Sequence, residues 1–493
     1  MYHQNRKHTA DYCLYQTVIY ITEIIPYNIK LIQLFRLFIF LKWEMKDLHL
    51  ISLFAATVVV TACNQVSCLD EILVSAGSNR IELETVLDHY RFDDPNPDKL
   101  RAAEFLIQNM PGHYSYAGNE IREYYDYADH ILTNRSLTPE QQRDSLLEIT
   151  DSKYSDLPNH IIPDAQVIKA GFLIDNIDKS YARWSTCPWA SQITFDEYLE
   201  WLLPYKVREL QELDSWRDTL LAHFGIGLEN PVRNDVEYNT TIAVADMLRN
   251  DAYNGLNRYG LYSRAGLPLI NAHLLATQTY GDIPDYARTA VLIFRSAGVP
   301  AVLDETPVGS RGTAATHWFV IYSDRGEQLT SEWDMATMIG GSFFPYERGP
   351  KVFRNTYAIN PERREYRKKA RYQYPFELGK KDVTSQYFLT SNLSIPVESS
   401  VRRKLKDKYV YIVSAVRNEE NPWQIVDFGV IKHGKAQFHD MGREVLYQVM
   451  GYDGKELIPI IEPFILHKDS GIEYVSADTL SSPSLDKWKN NSL

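Results

Sequence analysis

Two kinds of side chain between residues 281 and 334 suit chemistry at a carbonyl. His317 lies in an apolar run that reads as a strand, and Glu332 and Asp334 form an acidic cluster after it. A His that takes a proton and a carboxylate behind it are two parts of nucleophilic acyl chemistry. The third part is a nucleophile. A thiol serves best at a helix N-terminus, where the dipole and unbonded N–H groups favour the thiolate. Position 283 opens a helix here, and it holds isoleucine. The order is that of a hydrolase or acyltransferase whose nucleophile slot carries the inert Ile283.

The elements that would position these groups are legible. Asp282 is a good N-cap, Asp285 follows three residues on, and Pro284 is tolerated in the first turn. Ala287, Val291, Phe294 and Ala297 repeat at helical spacing and predict one apolar stripe. Gly298 suits a left-handed C-cap, Pro300 prevents continuation, and Ala301 to Leu303 read as a short strand. The plain alternative is an ordinary buried helix with an unrelated His downstream, and local pattern alone does not separate the two.

Wider context favours the first. Gly281, Asp285, Ala287, Arg295, Gly298, Pro300 and Ala301, followed by the His317 strand, resemble the transglutaminase-like core, a papain-type fold. The resemblance implies a Cys that attacks an amide or acyl carbonyl, a His that acts as base and an acidic residue that orients it. His317 matches that His, with Phe319 at the aromatic position two residues on. Glu332 is the better match to the carboxylate and Asp334 the alternative. Ile283 falls on the Cys, so a non-catalytic protein is expected, the alternative being an active enzyme on amide or isopeptide bonds with an unconventional nucleophile such as Cys187. Segments 102–111, 195–205, 382–384 and 459–464 look similar to large transglutaminase-like lipoproteins of Bacteroidota, so the likeness spans roughly residues 95–480.

The leader points to the cell envelope. Met45-Lys46-Asp47 precedes a mostly apolar run from Leu48 to Val60, the length of a signal h-region and too short to span a bilayer comfortably. It ends Val60-Thr61-Ala62-Cys63, which fits a lipobox, with the Cys63 thiol accepting the lipid that anchors the chain on a membrane. The alternative is a hydrophobic helix that happens to end in Cys. Residues 1–44, which carry Glu23, Pro26, Lys30 and Arg36, read as an upstream extension from a misplaced start codon.

Composition agrees with an exported, multi-domain globular body. The formal charge is −12, which argues against a nucleic-acid partner. Thirty-three Tyr and nine Trp suit contact with a peptide or glycan, although Tyr also packs well in cores. Cys13 and Cys63 belong to the leader and anchor, leaving Cys68 and Cys187 and no disulfide framework. Cys187, between Thr186 and Pro188 and ahead of a helix capped by Thr194 and Glu197, reads as a buried structural Cys. Its rival role is an unconventional nucleophile. No phosphate loop, dinucleotide fingerprint or His-Glu-x-x-His motif occurs, and His and Cys do not cluster at ligand spacing, so neither cofactor nor metal is expected.

The expected fold class is α+β and multi-domain. After the extension (1–44), signal peptide (45–62) and tether (63–90), a helical region covers 91–235, with breaks at Pro111-Gly112, Pro158 and Pro188. A transglutaminase-like core, a helix packed on an antiparallel sheet, follows over 236–345. Residues 346–382 form a basic linker; Arg363, Arg364, Arg367, Lys368, Lys369 and Arg371 make a solvated face there or, alternatively, an anion site. Strands at 409–416, 423–431, 444–450 and 457–466, with a turn at Asp453-Gly454, predict a C-terminal β-sandwich over 383–480.

Overall fold

Apolar residues at three- and four-residue spacing, opened by capping side chains, make the first half of the chain helical. The computed structural model describes residues 69–475, apart from 158–159, 191, 226–227, 229–240, 242, 246, 249–270, 278–282, 309–314, 323–327, 332–347 and 417–421. Its helices include α1 (Arg80–Asp88), α2 (Pro97–Gln108), α3 (Glu120–Thr133), α4 (Pro139–Lys153), α5 (Ala170–Thr186), α6 (Phe195–Trp201) and α7 (Trp216–Phe224). Asn96 caps α2 by accepting from the N–H groups of Asp98 and Lys99, with Pro97 in the first turn. Reciprocal capping boxes open α4 (Thr138 with Gln141) and α6 (Thr194 with Glu197). A small antiparallel pair, β1 (Tyr114–Tyr116) and β2 (Ile161–Pro163), is set among these helices.

Next come α8 (Ala272–Thr277) and α9 (Ile283–Ser296). The stripe of Ala287, Val291, Phe294 and Ala297 is fully buried, and Ala290, Leu292 and Ile293 are buried as well. From Ala287 onward α9 is covered on every side, even at Arg288, Thr289 and Arg295. Gly298 ends it at φ +84°, and the Val299 N–H reaches back to the Phe294 carbonyl at 2.9 Å. Residues 297–300 connect α9 to β3 (Ala301–Thr306), whose Ala301 and Leu303 share a core with the helix. With β4 (Thr316–Tyr322), β5 (Gln328–Ser331), β6 (Phe353–Asn355) and β7 (Lys380–Asp382) it forms an antiparallel sheet in the order β5-β4-β3-β6-β7. Strand alternation gives this sheet two apolar faces. Ala301, Leu303, Phe319 and Ile321 join the α9 core, whereas Val302, Trp318, Val320 and Tyr322 pack with Val352, Val383 and Phe388.

One boundary needs correction. Where described, residues 346–382 are not a linker, because β6 and β7 extend the sheet beside β3. Between them α10 (Pro361–Lys369) buries Tyr366 and Arg363. The Arg363 guanidinium lies 4.6 Å from the Phe353 ring centroid and 5.3 Å from that of Phe376. Long basic side chains pack through their stems and planar heads, so a basic run can still be half core.

The C-terminal strands are β8 (Thr390–Pro396), β9 (Tyr409–Ala415), β10 (Trp423–Lys432), β11 (Lys435–Gly442), β12 (Val445–Tyr452), β13 (Leu457–Pro459), β14 (Phe464–Leu466) and β15 (Ile472–Tyr474). They form one antiparallel sheet, β15-β14-β12-β9-β10-β11-β8 with β13 also on β12, rather than the two sheets of the expected sandwich. Register shifts between Ile425 and Asp427 and between Phe438 and Met441 bend its strands. The sheet curls round its own apolar face, so Leu393 and Ile395 of β8 share one core with Val449 of β12 and Phe464 of β14. Among the described residues no helix is long and apolar enough to cross a membrane.

Candidate functional site around His317

Strand pairing decides which carboxylate meets His317. In the β3–β4 ladder Glu305 lies directly opposite His317, and both project from the face that carries α9. Glu305 Oε2 lies 3.0 Å from His317 Nε2, with the side chains only 19% and 11% exposed. The same carboxylate oxygen is 2.6 Å from Lys380 Nζ, which is also 3.0 Å from Glu377 and donates to Asn355 Oδ1. A chain of alternating charge thus runs from Glu377 through Lys380 and Glu305 to the imidazole.

This arrangement sets the protons. Burial by itself would push the Glu305 pKa up, but the Lys380 ammonium and the His317 hydrogen bond outweigh it and hold the carboxyl well below its usual range. Burial would likewise lower Lys380, yet Glu305 and Glu377 keep it above the ordinary lysine value. A carboxylate that stays ionised only accepts hydrogen bonds, so Nε2 of the imidazole is the donor to it. In the neutral ring that leaves the lone pair on Nδ1, an atom that is buried and has no hydrogen-bond partner among the described residues. The geometry is that of an oriented base awaiting a proton donor.

The remaining expected residues divide plainly. Glu332, Asp334 and Cys63 lie outside the described residues, as does the side chain of Ile283, whose backbone begins α9. The start of α9 is the end of the helix away from Gly298. Cys187 is a buried thiol without a disulfide, 3.9 Å from Arg183 Nη1. Its surroundings adjoin the other end of α9: Trp189 donates to the Ala297 carbonyl at 2.9 Å, and a Cβ on Gly298 would come within 3.1 Å of Arg183 Cβ. From Ala301 to Glu305 the strand advances about 13 Å, so the length of β3 separates that region from the His317 pair.

Two further clusters carry no sequence motif. On the opposite face of the sheet Arg354 grips Asp304 with two bonds of 2.8 Å, and Tyr387 donates to the same carboxylate at 2.6 Å. Asp304 is wholly buried, and this network ties β3 to β6. Near α6, Lys206 lies 2.5 Å from buried Asp164, which also accepts from Ser115 and Tyr205. His113 pairs with Glu209 at 2.7 Å and stacks on Tyr357 with centroids 4.4 Å apart. Burial works against the charge on both; each partner's charge overrides it, raising His113 and lowering Glu209 to about 2. Among the described residues no three His, Cys, Asp or Glu side chains are grouped to hold a metal ion. No family model, curated protein or solved structure matches this chain.

Proposed function

We propose that this chain is a membrane-anchored lipoprotein of the bacterial cell envelope, built on a transglutaminase-like frame and lacking that frame's nucleophile. It binds a peptide or glycan at the His317 end of α9 and does not cut it. The observation that carries this reading is the His317–Glu305 pair, in which Nδ1 is buried, and unbonded among the described residues, on the face that packs against α9. A helix opening at residue 283 and a strand bearing an oriented imidazole suit acyl chemistry, and isoleucine at 283 supplies no attacking atom. Anchoring rests on Cys63 and the apolar run before it.

The rival reading is an active enzyme on amide or isopeptide bonds with Cys187 as nucleophile. Attack needs hydrogen-bond reach to the base, and the surroundings of Cys187 adjoin the far end of β3. A burst assay with p-nitrophenyl acetate separates the two. The unsubstituted protein is expected to give no burst, whereas Ile283→Cys releases about one equivalent of nitrophenolate as the thiolate takes the acetyl group. The burst vanishes when His317→Ala is added. A burst from the unsubstituted protein that Cys187→Ser abolishes contradicts the proposal.

A further inference from the structure

A cleft of about 140 Å³ opens beside the C-terminal end of α9, walled by Arg295, Lys206, Arg208, Glu209, Arg367 and Glu377 among others. Its charges are unevenly matched. Glu209 is held by His113 and Glu377 by Lys380, while Lys206 is committed to Asp164. Among the described residues Arg295, Arg208 and Arg367 make no ion pair with a carboxylate; Arg367 has only the Phe376 carbonyl, at 3.0 Å.

Arg295 is the decisive group. It is 3% exposed, Nε donates to the Ala301 carbonyl at 2.8 Å, Nη2 donates to the Glu200 carbonyl oxygen at 3.1 Å, and Nη1 is buried with no partner among the described residues. The nearby Glu200 side chain is occupied by the N–H groups of Tyr357 and Ala358, at 3.0 and 3.3 Å. Arg217, whose Nη1 donates to the Arg295 carbonyl at 3.3 Å, is a second buried cation that otherwise bonds Asn176 and carbonyl oxygens. Two buried guanidiniums with no ion-paired carboxylate among the described residues are costly; burial together with Arg217 outweighs the nearby charge of Glu200 and pushes Arg295 down to about 9. An anion in the cleft relieves that cost. Pro111, Pro204, Ile359 and Leu378 give the same walls apolar surface, which suits an organic body better than a bare ion.

We infer that this cleft is a binding site for the carboxylate of a small organic anion, with Arg295 as its buried anchor and Arg208 and Arg367 at its rim. The site is independent of the transglutaminase-like reading, since neither Ile283 nor His317 enters it. The test is calorimetric titration of the full chain with two carboxylates, N-acetylalanine and galacturonate, each beside its neutral counterpart, N-acetylalaninamide and galactose. At least one carboxylate is expected to bind saturably and its counterpart not at all, and the active member of the pair tells a peptide-type from a sugar-type source. Arg295→Met is expected to weaken binding about tenfold or more, in line with the loss of a charge-assisted hydrogen bond. Because that variant removes a packed side chain, Arg208→Gln/Arg367→Gln serves beside it and is expected to weaken binding severalfold while reducing its salt dependence. The inference is overturned if neither carboxylate binds better than its neutral partner, if inorganic phosphate alone binds, or if the rim double variant binds like the parent.

Discussion

The imidazole of His317 is defined by what holds its far nitrogen. Glu305 is shared between that ring and the Lys380 ammonium, so removing it leaves that buried cation only the exposed carboxylate of Glu377. Glu305→Leu is expected to cost about 3–5 kcal/mol in urea unfolding, and Glu305→Leu/Lys380→Met to recover a large part, because loss of both partners leaves no uncompensated charge. A single variant within 1 kcal/mol of the parent rules out that linkage. His317 was legible from its place in an apolar strand. Glu305 was not, although it lies only twelve residues earlier, because its partnership depends on the register of β3 and β4, which local sequence pattern does not set. Arg295 was visible as part of a local pattern, but its lack of an ion-paired carboxylate among the described residues is a property of tertiary packing.

At the scale of elements, caps and stops carried the most information. Gly298 takes the left-handed conformation its position between helix and strand suggested, and a Cβ there meets Arg183. Gly298→Ala is therefore expected to destabilise by about 1–3 kcal/mol. Thr194→Ala, which opens an exposed capping box, is expected to cost about 1 kcal/mol. Thermal unfolding of the two variants checks that order; a Gly298 variant as stable as the parent contradicts the strain argument. Strands β9, β10 and β12 were legible as long apolar runs. β11 escaped notice because only Ala436, Phe438 and Met441 mark its buried side, and its turn with β10 is His433-Gly434, both at positive φ. The single curled sheet was beyond reach, since the bulges that bend it leave no pattern in composition.

For the whole molecule, buried ionisable groups predict how stability follows pH. Burial, then Asp214, raises Glu212 to about 7, and burial raises Asp214 to about 6. Both carboxyls are favoured protonated in the fold, so their contribution is complete below about pH 4 and fades as pH rises toward 7. His113, also raised, has the same sign through its own range, while Glu209 and Glu305, both lowered, are fully ionised above about pH 5 and add no slope there. Unfolding free energy is expected to fall by on the order of 2–3 kcal/mol between pH 5 and pH 8, and Glu212→Gln/Asp214→Asn to flatten the fall. A flat or rising profile in the parent contradicts this balance. All of this charge surrounds a frame whose proposed character rests on a missing nucleophile. The most direct test is the pH profile of iodoacetamide labelling of Ile283→Cys in the full chain, after subtracting the labelling of the unsubstituted protein. The account predicts an introduced thiol that titrates below about 7.5 instead of the ordinary value of about 8.5, and that returns to the ordinary value in Ile283→Cys/His317→Ala. A thiol that labels like a free peptide cysteine whether or not His317 is present contradicts it.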